Sequence, residues 1–221
     1  MFVDTSSRLK SLSGALVVRG SSPSIWAHVK APETALAIWE RALPPALSEL
    51  QRVPVACDIN VLCAVQDFRC DFINMMDDAG YEAGAAREAL TDDVTMLVEG
   101  FSSILMLDLV RVRLEWITGD ACRKFHADFV TARVICTYVG RGTEWIYGRT
   151  APLDAAGVTI HHLGAGDAAL FKGKLNNPGI PLLHRSPPIA GTGERRLLLV
   201  ISPPPTSDET RLEQNSGGCA R

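Results

Sequence analysis

His126 and Asp128 stand two residues apart in CRKFHADFVTARVICTYVGRGTEW, the stretch from Cys122 to Trp145. In extended backbone, side chains i and i+2 leave the same face, so an imidazole nitrogen and a carboxylate oxygen converge there. Two ligands hold an octahedral metal poorly, and the candidate for the third is His184 in PLLHRSPPIAGTGERRLLLVI. Two histidines and one carboxylate cover one face of the octahedron and leave three positions open, the donor set of non-haem Fe(II) oxygenases. His161 and His162 are rivals for the third place, but adjacent strand residues point to opposite faces, so at most one of them would qualify.

Arg195 lies eleven residues beyond His184 and is followed by Arg196. An arginine heading an apolar strand is costly to bury without an anion. A dicarboxylate co-substrate would supply one through a bidentate guanidinium–carboxylate pair. The two arginines point to opposite faces of a strand, so only one of them fits the role.

In their order along the chain, His126-x-Asp128, AGDAALFKG, His184 and GTGERRLLL resemble the double-stranded β-helix core of the Fe(II)/2-oxoglutarate-dependent dioxygenases. Gly166-Asp167 and Leu170-Phe171 fill the place of the Gly-Asp turn and apolar strand that precede the late histidine in that superfamily. The resemblance implies a jelly-roll core over residues 104–202. It also implies Fe(II) held by His126, Asp128 and His184, with 2-oxoglutarate as co-substrate decarboxylated to succinate. An arginine about ten residues after the late histidine would grip the far carboxylate of 2-oxoglutarate. Arg195 is favoured because GER matches the superfamily's Gly-x-Arg, and Arg196 competes because the gap is one residue longer than the common pattern. Tyr138 is a candidate donor to the co-substrate carboxylate, and Arg133 a candidate holder of substrate or of a structural carboxylate. The whole chain further resembles an uncharacterised bacterial family, a domain of unknown function met beside zinc-regulated genes, through the block CRKFHxD…R…CTYxGxGTEW. That likeness suggests an alternative, a non-redox cupin-like metal-binding protein in zinc handling or sensing. The Gly-x-Arg arginine speaks against it, since a metal buffer does not need one.

The elements that must position these residues change character near residue 104, and the expected class is α+β. Residues 1–103 read as a mainly helical region packed on the core, residues 104–202 as the strand-built core, and residues 203–221 as a disordered tail rich in Pro, Gly and Ser. In the first region APETALAIWERALPPALSELQ places Leu36, Trp39 and Leu43 at helical spacing. CDINVLCAVQDFRCDFINMMDDAG has apolar steps of three and four, and TDDVTMLVEGFSSILML starts at Thr91 with acidic residues in its first turn. In the second region LDLVRVRLEWI alternates, and FVTARVICTYV, TEWIY, GVTIHHL, DAALFKG, PLLHRS and RRLLLVIS follow as short strands between Gly and Pro turns.

The 221 residues are 47% hydrophobic and 21% charged, with a formal net charge of −3. A chain of this size builds a core without disulfide or metal staples. None of the six cysteines forms a CxxC pair, which argues against a thiolate zinc site. No face or tail concentrates Lys and Arg, so no nucleic-acid partner is expected. The start carries no convincing secretory signal, and no apolar run approaches the ~18 residues of a membrane span. The expectation is a cytoplasmic protein acting on a small-molecule or peptide substrate.

Overall fold

The computed structural model describes residues 16–54, 56–148, 158–179 and 182–205. Its first half runs β1 (Val17–Gly20), a 3-10 helix (Pro23–Lys30), β2 (Leu36–Trp39), a second 3-10 helix (Pro45–Gln51), β3 (Ile59–Ala64), α1 (Phe68–Asp78) and α2 (Ala85–Leu105). Its second half runs β4 (Leu109–Ile117), β5 (Ala132–Val139), β6 (Glu144–Tyr147), β7 (His161–His162), β8 (Ala168–Lys172), β9 (Leu182–Arg185) and β10 (Arg196–Ser202). Seven strands form one sheet in the order β1-β2-β8-β5-β10-β4-β3, and β7-β6-β9 form a second. Within the large sheet only β1 and β2 run parallel.

The period of two along each strand divides the core into two layers. On one face of the large sheet, Val110, Val112 and Leu114 of β4, Val134 and Cys136 of β5, and Leu197, Leu199 and Ile201 of β10 pack with the helices. Helix α2 presents Leu90, Val94, Leu97, Val98 and Phe101 to them, an apolar stripe at helical spacing. On the other face, Ile135, Phe171, Leu198 and Val200 pack with Trp145 and Ile146 of β6 and with Leu182 and Leu183 of β9. Each large side chain sealed in these layers contributes roughly 1.5–3 kcal/mol. The result is a mixed α+β architecture of helices, a large sheet and a small sheet, and the site lies between the sheets.

The helical reading of the first 103 residues needs correction. β1, β2 and β3 all come from that region and belong to the same sheet as β4, β5, β8 and β10. Leu36 and Trp39 sit in a four-residue strand paired with Phe171 and Ala168, not in a helix. INVLCA pairs with β4, and the helix expected across it starts only at Phe68. Short apolar runs satisfy helical and strand periods alike, and here the sheet's unpaired edges decide between them. Helix α2 opens at Ala85, ahead of Thr91, whose hydroxyl donates to Arg87 O at 2.9 Å inside the helix. Of the expected tail, residues 206–221 lie outside the described residues. No helix among the described residues is long and apolar enough to cross a membrane.

A buried polar network ties the helical layer to the large sheet. Arg41 Nη2 donates to Asp93 Oδ2 of α2 at 2.8 Å, and Tyr138 Oη of β5 donates to the same oxygen at 2.6 Å. Arg41 Nε also donates to Gly166 O at 2.8 Å. Removing one member of a buried pair strands the other's charge. Asp93→Ala should therefore lower stability by about 3–5 kcal/mol in a denaturant titration, whereas replacing Arg41 and Asp93 together by leucine should recover most of that loss.

Candidate metal centre

His126 lies outside the regular strands, in a single antiparallel bridge to His184. The His126 amide donates to His184 O at 3.0 Å, and the His184 amide donates to His126 O at 2.8 Å. On its other edge β9 pairs with β6, opposing His184 to Trp145. The late histidine is thus clamped from both sides, and the two imidazoles stand with centroids 4.7 Å apart. Asp128 follows two residues after His126 and reaches the same space, as the spacing predicts. Its Oδ1 lies 3.6 Å from His126 Nε2, and its Oδ2 lies 3.2 Å from His184 Nε2. One ligand atom from each of the three residues falls within 4.8 Å of the other two. His126 Nδ1 is 2.9 Å from Lys124 O. A proton donated there fixes the ring and leaves the Nε2 lone pair facing Asp128.

Electrostatics prepare the three groups for a cation. Burial pushes the Asp128 carboxyl up, but the neighbouring His126 and His184 imidazoles and the charge of Arg133 outweigh it and hold the group well below the usual carboxylate range. Burial pushes His184 down, against the pull of Asp128. The neighbouring Asp128 carboxylate holds His126 up. Arg133 Nη1 donates to Asp128 Oδ1 at 2.6 Å, while Oδ2 is buried with no hydrogen-bond donor among the described residues. An orphaned carboxylate oxygen 3.2 Å from one imidazole nitrogen, in a group flanked by a second imidazole, fits a divalent metal, and the donor set is that of the facial triad.

The remaining residues singled out from the sequence divide by strand parity. Arg195, the favoured anion holder, does not reach the triad. Its guanidinium lies 4.7 Å over the Trp116 ring and donates to Gln51 O. Arg196 shares the site face of β10 with Leu198 and Val200 and is fully buried. Its Nε donates to Arg141 O at 2.6 Å, its Nη1 to Ser186 Oγ at 3.0 Å and its Nη2 to Thr137 Oγ1 at 3.3 Å. Burial pushes this guanidinium down to about 10. Tyr138 also faces away from the triad, because its position on β5 points to α2 and its hydroxyl is engaged by Asp93. His161 stacks on Trp145 at 4.2 Å, and His162 lies 3.7 Å from Glu144, so neither joins the triad.

Sequence reasoning missed the hydroxyls of Ser186 and Thr137. Ser186 follows His184 by two residues, and that spacing is the signal that would have placed it on the same face. A cavity of about 100 Å³ opens beside the triad, with Arg113, Glu115, Ser186, Leu198 and Val200 in its wall. Arg133 anchors Asp128 from outside the ligand set. Arg133→Leu should weaken Mn(II) binding, measured calorimetrically, by about 10–100-fold without abolishing it, as removal of an outer partner of a ligand does.

Residues 20–202 match the family model described as Protein of unknown function (DUF1826). No curated protein matches the chain. Among solved structures, the dioxygenase for auxin oxidation in rice superposes with a TM-score of 0.51 at 10% identity, covering 91% of this chain and 95% of that one. The dioxygenase for auxin oxidation 1 from Arabidopsis thaliana, in complex with 2-oxoglutarate, superposes with a TM-score of 0.52 at 9% identity, covering 87% and 93%. At such identities the likeness is one of fold. The family match spans most of the sequence, and the chain belongs to the DUF1826 family.

Proposed function

We propose that this protein is an Fe(II)/2-oxoglutarate-dependent oxygenase whose two sheets form a double-stranded β-helix, acting in the cytoplasm on a small-molecule or peptide substrate. The observation that carries the reading is Arg196, a buried guanidinium bonded to Ser186, two residues beyond His184 in sequence, whose hydrogen-bond partners among the described residues are all neutral oxygens. Such a charge calls for an anion. A guanidinium flanked by Ser186 and Thr137 hydroxyls suits the far carboxylate of 2-oxoglutarate. The fold shared with a dioxygenase held in complex with 2-oxoglutarate supports the same reading.

His126, Asp128 and His184 would hold the metal. Bound Fe(II) would supply the redox chemistry, in which O2 accepts two electrons from decarboxylation of 2-oxoglutarate and two from a substrate C–H bond, giving succinate, CO2 and a hydroxylated product. The protein's own groups bind and orient. His184 offers an imidazole nitrogen, Arg133 keeps Asp128 anionic, and Arg196 fixes the co-substrate's far end. Ile135, Leu198 and Val200 line one wall with apolar surface and keep water from it.

The test is anaerobic addition of Fe(II) and then 2-oxoglutarate to metal-free protein. The reading expects a weak visible charge-transfer band that is lost in His126→Ala, needs at least tenfold more 2-oxoglutarate in Arg196→Gln, and is unchanged in Arg195→Ala. Tight zinc binding with no band and no metal-dependent affinity for 2-oxoglutarate would instead favour the zinc-handling protein, since the same triad holds zinc with a water.

A further inference from the structure

Most of the charge around the cavity is already matched. Arg133 is held by Asp128 at 2.6 Å and by Ser202 Oγ at 3.1 Å, and Arg185 holds Glu144 at 2.6 Å. Arg113 and Glu115 differ. They are i and i+2 on β4, so both rise from the cavity face of the large sheet. Their side chains are 33% and 26% exposed, and they approach each other only to 3.5 Å. Among the described residues neither makes a hydrogen bond. A guanidinium carries five donors and a carboxylate about four acceptor sites, so a half-buried pair this loosely joined leaves most of its capacity unused.

The signs and neighbours of the pair select what would use that capacity. A dicarboxylate is repelled by Glu115 and a diamine by Arg113, so the complement is a ligand that carries one charged group of each sign on a single carbon. In register on β10, Glu115 stands opposite Leu198 and Arg113 opposite Val200. On the far side of β10, Val200 stands opposite Ile135 of β5, two residues from Arg133, which holds Asp128. An apolar strip thus runs from the charged pair toward the triad. An internal residue of a peptide carries neither terminal charge and would leave the two groups with only their loose 3.5 Å contact.

We propose that the substrate of this site, on the oxygenase reading above, is a free α-amino acid. Its carboxylate pairs with Arg113 and its ammonium with Glu115, and its side chain runs over Leu198 and Val200 toward His126, Asp128 and His184.

The experiment is calorimetric titration of the full chain with each of the twenty L-amino acids, both metal-free and loaded with Mn(II) and 2-oxoglutarate. At least one amino acid should bind. Its N-acetyl and its C-amide forms should each bind at least tenfold more weakly to the unmodified protein. Arg113→Gln and Glu115→Gln should each weaken the free amino acid at least tenfold while leaving 2-oxoglutarate affinity unchanged. If 2-oxoglutarate binds but no amino acid does, or the blocked forms bind as well as the free one, the substrate class is wrong and the oxygenase reading stands. If an amino acid binds with both charges required while Mn(II) and 2-oxoglutarate do not, the head-group site stands and the oxygenase reading falls.

Discussion

A carboxylate stays ionised inside a protein only where hydrogen bonds and positive charge outweigh the loss of water. Asp128 meets that condition through the Arg133 guanidinium on one oxygen and two imidazoles around it. The other oxygen is buried and takes no hydrogen bond among the described residues. Everything around the site serves to bring those four side chains together from three places in the chain. The bridge between His126 and His184 joins two of them, β5 carries Arg133, and Asp128 is set by its distance from His126 in sequence.

Positioning to this tolerance needs a rigid floor, and the large sheet supplies it. β10 lies between β4 and β5 and is buried along its whole length, so its side chains are fixed on both faces. The helices close the far face, and the Arg41–Asp93–Tyr138 network pins α2 to β5. The turn that leads out of β5 is held as tightly. Gly140 has φ +81°, and a Cβ there would meet Arg195 O at 2.4 Å. Only glycine combines that backbone conformation with so close an approach. The contact keeps the start of β10, and hence Arg196, against the end of β5.

The triad was legible in the sequence because it depends on local spacing and on residue types with few other uses in combination. His126 and Asp128 needed only the i, i+2 rule, and His184 was the late histidine that the resemblance required. The choice between Arg195 and Arg196 was not legible. RLLLVIS shows no alternation, because both faces of β10 are covered, so the direction of each side chain cannot be read from the strand itself. The same blindness misplaced Tyr138 in ARVICTYV. The first half was misread for a different reason. LAIW and INVLCA are short apolar runs that become strands only because the sheet built by later residues offers them an edge, a fact no local window contains. The longer α2, with its repeated apolar stripe, was recognisable though its start was not.

The central claim is that one metal sits on His126, Asp128 and His184 with a dicarboxylate anchored by Arg196. A crystal structure of the full chain grown with Mn(II) and 2-oxoglutarate, with the metal located from its anomalous signal, tests both halves at once. The account predicts manganese coordinated by those three side chains and the far carboxylate of 2-oxoglutarate paired with the Arg196 guanidinium near Ser186 and Thr137. Manganese bound elsewhere, or a carboxylate held by Arg195 over Trp116, would contradict it.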